Sequence, residues 1–140
     1  MPTLGTAIIA SASALNAQRT RVEVAVSNIA NADTTRGPNG QPYRRRDVVL
    51  QADQQSVFDN SLGEAIGVRV ADIVEDRAPF QTRYEPSHPD ADASGNIQLP
   101  NVDSQTEMVD MIGASRAYSA NLAAITIVRD MLQKALDLGR

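Results

Sequence analysis

Cysteine is absent from the chain and histidine occurs once, as His88. The first absence removes disulfides, thiol catalysis and zinc–thiolate sites together, and leaves the compartment open. His88 lies in Pro86-Ser87-His88-Pro89, and neither Ser87 nor any other serine sits in a nucleophile-elbow pattern, so it reads as a turn histidine. A phosphate-cradling glycine loop is missing, as is a metal-ligand cluster. Neighbouring acids such as Glu75-Asp76 have nothing around them that would separate two carboxylate pKa values. Every catalytic template comes up empty, and the expectation is a protein that is not an enzyme and carries no cofactor.

A concentrated basic surface is missing as well. The formal charge is -4 and the pI near 4.9, which argues against nucleic acid or an anionic membrane as partner. Arg44-Arg45-Arg46 is one short basic run beside a strand-like segment, and on alternating faces it reads as a solvated or subunit-pairing surface. No apolar run approaches the length of a membrane span, and Met1 to Gly5 lacks the basic start of a secretory signal. The expectation is a cytosolic chain, or one exported by another route, with no direct membrane span.

What is present is concentrated at the two ends. The 140 residues suffice for one domain, but six of the seven prolines, Pro38 through Pro100, fall in the middle. From Leu4 to Ile29, Ile8, Leu15, Val22 and Ile29 repeat every seven residues, with Ala12, Arg19 and Val26 four after the first three, which is one helical stripe. Asn31, Asp33, Thr34, Thr35 and Gly37-Pro38 end it. A helix with so narrow a stripe is marginal when it stands alone.

The closing segment repeats the design more strongly. Met108, Met111, Ile112, Ser115, Tyr118, Leu122, Ile125, Arg129, Leu132 and Leu136 recur at three and four residues. Asp103 or Ser104 can cap this helix, Glu107 lies in its first turn at the positive dipole end, and Gly139 stops it. The predicted fold is α+β: amphipathic helices over 1–36 and 101–140 that pack together, around a small β-rich middle over 37–100. Within the middle, Gly37-Pro38-Asn39-Gly40 predicts a turn, Arg46 to Gln51 a strand with Val48 and Leu50 on one face, and Val68 with Val70 another alternating segment before Ile73 and Val74. Residues 52–67 have weak periodicity and no assigned role.

Asp90-Ala91-Asp92-Ala93-Ser94-Gly95-Asn96-Ile97 copies the first half of a calcium loop, with oxygens on alternate residues and a glycine at the sharp turn. The second half departs from it. Asn101 stands where a bidentate Glu is needed, and Pro86 and Pro89 prevent an entering helix. An Asx and Gly turn leading into a short strand, Ile97 to Leu99, is the preferred reading, with a calcium-binding module using residues 90–101 as the alternative. A third reading is an adaptor that docks its helices on one partner.

Beside the stripes lie amides and hydroxyls that favour one register over its sliding alternatives: Asn16, Gln18, Asn28 and Asn31 at one end, Ser115, Arg116, Tyr118, Ser119 and Asn121 at the other. Ala25-Val26-Ser27-Asn28-Ile29-Ala30-Asn31-Ala32-Asp33-Thr34 resembles the N-terminal signature of the flagellar rod and hook protein family. Asn101-Val102-Asp103 and the run from Glu107 to Asn121 are similar to that family's closing helix. The Gly37 to Tyr43 turn, Tyr84-Glu85-Pro86 and Pro100 to Asp103 look like its short proximal-rod members, and the likeness weakens between Gln51 and Gly67.

The resemblance implies a structural subunit of the basal-body rod, a periplasm-spanning tube that carries motor torque toward the hook. It implies export by the flagellar type III apparatus without a cleaved signal peptide, and partners that are other rod subunits and copies of the chain. It also implies terminal helices that pack coaxially and are poorly ordered before assembly. On this reading Ile8, Leu15, Val22, Ile29, Met108, Met111, Tyr118, Leu122, Ile125 and Leu132 are subunit-packing contacts, and Asn28, Asn31, Arg116 and Asn121 set register.

Overall fold

The computed structural model describes residues 4–53 and 67–138. The expected stop at Gly139 and most of the weakly periodic stretch after Ala52 lie outside the described residues. Two long helices, α1 (Leu4–Ala30) and α2 (Ser104–Leu138), enclose four strands: β1 (Arg46–Asp53), β2 (Gly67–Glu75), β3 (Gln81–Tyr84) and β4 (Asn96–Leu99). This is the α+β arrangement expected from the periodicities.

Alanine, leucine and other good helix formers carry α1 through its 27 residues, and Asn31 ends it. The Asn31 amide reaches back to the carbonyls of Ser27 and Asn28, and its side-chain Nδ2 donates to the Ser27 carbonyl at 2.8 Å. Carbonyls left without a helical partner are thereby satisfied. At the head of α2, Asp103 is the cap. Its Oδ1 accepts the Gln105 amide at 3.1 Å and its Oδ2 accepts the Thr106 hydroxyl at 2.7 Å.

The end of α1 meets the start of α2, where Asn28 and Glu107 are hydrogen-bonded, so the helices run antiparallel. Their contact is seated on small residues, Ala17 and Ala25 of α1 and Ala114 of α2, all buried. Alanines let the backbones approach closely but bury little apolar area each. Among the described residues the other buried apolar positions are Ile97 and Leu99 of β4 and the following Pro100 and Val102.

β1 and β2 form an antiparallel pair running from Arg46 opposite Glu75 to Asp53 opposite Gly67. The register shifts between Val49 and Leu50, which face Asp72 and Val70, so Ala71 is an extra residue on β2. The bulge explains an irregular pattern. Val68, Val70 and Ile73 are not evenly spaced, yet they stand opposite Ala52, Leu50 and Val48 and therefore share one face. α1 lies against this pair, and the Ser13 hydroxyl accepts the Val68 amide at 3.1 Å.

β3 and β4 form a second, four-residue antiparallel pair. Pro86, Pro89 and Pro100 confine it to short strands, as expected. Among the described residues α2 packs along α1 and has no strand beside it. With 35 residues against 27, it also runs on past the start of α1.

Candidate functional site

Where the two helix ends meet, polar side chains replace apolar ones. Asn28 is fully buried, at 0% exposure, and Glu107 is 2% exposed. Asn28 uses its whole hydrogen-bonding capacity. Its Nδ2 donates to the Arg46 carbonyl at 2.8 Å and to Glu107 Oε2 at 2.9 Å, while its Oδ1 accepts the Arg46 amide at 3.0 Å and the Tyr43 hydroxyl at 2.9 Å. The other oxygen of Glu107 accepts Arg45 Nε at 2.5 Å.

Arg45 is held from both sides. Its amide donates to Asn101 Oδ1 at 2.9 Å and its carbonyl accepts the Asp76 amide at 2.8 Å. Asn101 in turn donates to the carbonyl of Asp76 at 3.2 Å. Asp47 and Asp110 each lie 3.7 Å from the guanidinium. Burial works against the Arg45 charge and is the largest single effect, but the hydrogen bond and charge of Glu107, with the charges of Asp47 and Asp76, outweigh it and raise the pKa above the ordinary arginine value. The result is a clasp that joins the end of α1, the start of α2 and the base of the β1–β2 pair, with no buried polar side-chain atom left unsatisfied among the described residues.

Of the three consecutive arginines, expected as a solvated or subunit-pairing surface, the fold takes up Arg44 and Arg45, while Arg46 stays exposed. Arg44 stacks over the Phe80 ring at 4.3 Å and donates to the carbonyls of Asp76 and Ala78. Arg45 enters the clasp, and Arg46 lies over Tyr43 at 5.7 Å.

Of the four residues expected to set register, Asn28 is at the centre of the clasp and Asn31 closes α1. Asn121 bonds the Ala117 carbonyl of its own helix, and Arg116 is exposed. Arg45 and Glu107 were the residues missed. Glu107 does carry a readable mark, since with Asp110, Met111, Ala114 and Ala117 it lies at helical spacing on a face rich in small residues. That face is the one covered by α1. Most of the stripe of larger residues is rotated away from it, with Met111 and Ile125 at the border.

The expected packing residues divide accordingly. Ile8, Leu15, Val22 and Ile29 are half-buried along α1, as are Met111 and Ile125 on α2. Met108, Tyr118, Leu122 and Leu132 are exposed, together with Val109, Ile112, Ile127, Met131 and Leu136. From Arg129 to Leu138 every position of α2 is exposed.

The calcium-like segment is an Asx and Gly turn between β3 and β4. Asp92 Oδ1 accepts the amides of Ser94 and Asn96 at 2.8 and 2.9 Å, and Gly95 has φ +78°, with Tyr84 and Pro86 where a side chain would stand. Asp90 is turned the other way, taking the Thr35 hydroxyl at 2.8 Å and the Arg36 guanidinium at 2.7 Å. His88 Nδ1 accepts the Asp90 amide at 3.1 Å. Both carboxylates are engaged by protein donors. Among the described residues no group of three acidic or imidazole side chains converges on a point.

Comparison with known proteins agrees with the two-ended pattern. The model of the flagella basal body rod protein family matches residues 8–38, and that of the flagellar basal body rod FlgEFG protein C-terminal region matches residues 93–138. The flagellar basal-body rod protein FlgC of Salmonella typhimurium is 47% identical over 129 residues, which cover 91% of this chain and 92% of the relative. FlgC of Bacillus subtilis is 45% identical over 142 aligned positions, covering 93% and 94% of the two chains. FlgC of Agrobacterium fabrum is 37% identical over 142 aligned positions, covering 99% and 96%. With relatives matched along nearly the whole of both chains, and family models matched at both helical ends, the chain belongs to the FlgC family of flagellar basal-body rod proteins.

Proposed function

We propose that the chain is a structural subunit of the flagellar basal-body rod, in which the open faces of its terminal helices are covered by neighbouring subunits. The observation that carries this is α2. Among the described residues only one side of it is covered, yet apolar side chains surround it: Val109 is 69% exposed, Ile127 59% and Leu122 49%. An apolar surface of that extent on a soluble chain marks an interaction face. Neighbours that bury it supply stability that the alanine-seated pair does not supply by itself.

The partners are other rod subunits and further copies of the chain, in the proximal part of a rod crossing the periplasm. The flagellar type III apparatus exports the chain. Among the described residues no helix is long and apolar enough to cross a membrane. Torque passes through interlocked helices, and the work asked of the subunit is stiffness, which needs no reacting group.

Leu122→Asp tests the reading. Leu122 is exposed, so the variant is expected to be expressed at normal levels while motility is lost. A fully motile Leu122→Asp strain would sink the packing assignment.

A further inference from the structure

Gly113 sits in the third turn of α2, exposed, with nothing within 4 Å of where a Cβ would stand among the described residues. Glycine inside a helix is less stable than alanine would be, and no contact among the described residues offsets that cost. Three residues on, Arg116 is exposed and makes no hydrogen bond or ion pair among the described residues, and it is the only charged residue of α2 between Asp110 and Arg129. A face with a missing side chain and an unanswered cation asks for a close-approaching partner with one acidic group.

The exposed face of α1 has that form. Glu23 is the only acidic residue of α1, held by Arg19 at 2.9 Å with both side chains largely in solvent. Val26, Glu23, Arg19, Asn16, Ala12 and Ile9 are all exposed and descend the helix in steps of three, four, three, four and three. Gly113, Arg116, Ala120, Ala123, Ile127 and Asp130, also exposed, ascend α2 in the same steps. Laid antiparallel, the faces match over most of their length, valine over glycine, glutamate beside arginine and alanine over isoleucine, with Ile9 against Asp130 at the far end.

We propose that a second copy of this chain docks the outward face of its α1 antiparallel on the outward face of α2, with the partner's Val26 over Gly113 and the partner's Glu23 beside Arg116. The contact rests on the rod-subunit reading and continues the α1–α2 pairing within each subunit. There, Asn28 stands beside Glu107; between copies the register is displaced by one turn, about 6 Å along the axis. The two faces differ, so the interface is heterologous: every copy offers both, and repetition builds an open array of parallel copies.

The chain has no cysteine, so an engineered pair gives a clean readout. Oxidation of basal bodies carrying Val26→Cys with Gly113→Cys is expected to give a ladder of dimers and higher multimers of this chain, while either single variant gives monomer. Glu23→Arg and Arg116→Glu are each expected to lose motility, and the double charge exchange to regain it. Basal bodies that contain the double-cysteine chain but give no ladder would overturn the contact and leave the rod reading standing. Cross-linking to a different rod protein would overturn the choice of a second copy. A wild-type chain missing from basal bodies would overturn both readings. A charge exchange no better than its single variants would count against the Glu23–Arg116 pairing.

Discussion

Glu107 places a carboxylate where water barely reaches, and Asn28 and Arg45 are the groups that make this tolerable. Removing one partner of such a pair leaves the other buried and unanswered. Arg45→Ala is expected to lower the unfolding free energy by about 3 kcal/mol, read from urea denaturation of the purified chain. Arg45→Lys restores little of this, because one ammonium cannot reproduce the planar fork aimed at Glu107. Asn28→Ala strands the Tyr43 hydroxyl, both backbone groups of Arg46 and one oxygen of Glu107, and is expected to cost about as much. Equal stability of Asn28→Ala and wild type would show that water enters the clasp freely.

Among the elements, α2 has a start that depends on pH. The Thr106 hydroxyl first, and then the Gln105 amide, lower the pKa of Asp103 below the usual aspartate value. A depressed folded-state pKa means that the cap contributes fully above the ordinary aspartate range and is lost as pH falls through the lowered value. Ellipticity at 222 nm is expected to fall below pH 4 more steeply in the wild type than in Asp103→Asn, which keeps the cap geometry without the charge. Identical acid profiles would remove the carboxylate from the account. Both helices, the turn at Gly37 to Gly40 and the strands β1, β2 and β4 were legible from periodicity, valine content and turn residues. β3, four exposed residues with no alternation, was not. The facing of Ile73 was hidden for a different reason: a bulge at Ala71 depends on the pairing partner, which no local pattern reports.

At the scale of the molecule, stability is uneven by construction. Hydrogen exchange on the free chain is expected to be slowest around Asn28 and Glu107 and fastest over residues 131–138, where α2 is exposed throughout among the described residues. The same measurement on basal bodies is expected to show protection extending along α2, and equal rates in both states would contradict burial of that helix by other subunits. The terminal helices were visible in the sequence because repeated spacing survives without a partner. The clasp was largely invisible because it joins residues such as Asn28, Arg45, Asn101 and Glu107, which are far apart in the chain. The family signature drew attention to Asn28, but nothing local distinguished Arg45 from its two neighbouring arginines.

Because α1 and α2 are antiparallel, the outer ends of both helices lie together, opposite the clasp. Tension applied at those outer ends therefore opens the pair like a zip, one turn after another against small alanine contacts, and meets the polar clasp last. Tension between the helix pair and the β1–β2 base instead loads the Arg45, Asn28 and Asn101 bonds together, in shear. The subunit is weak along one axis and strong along another, so the direction of pull decides whether it yields or holds.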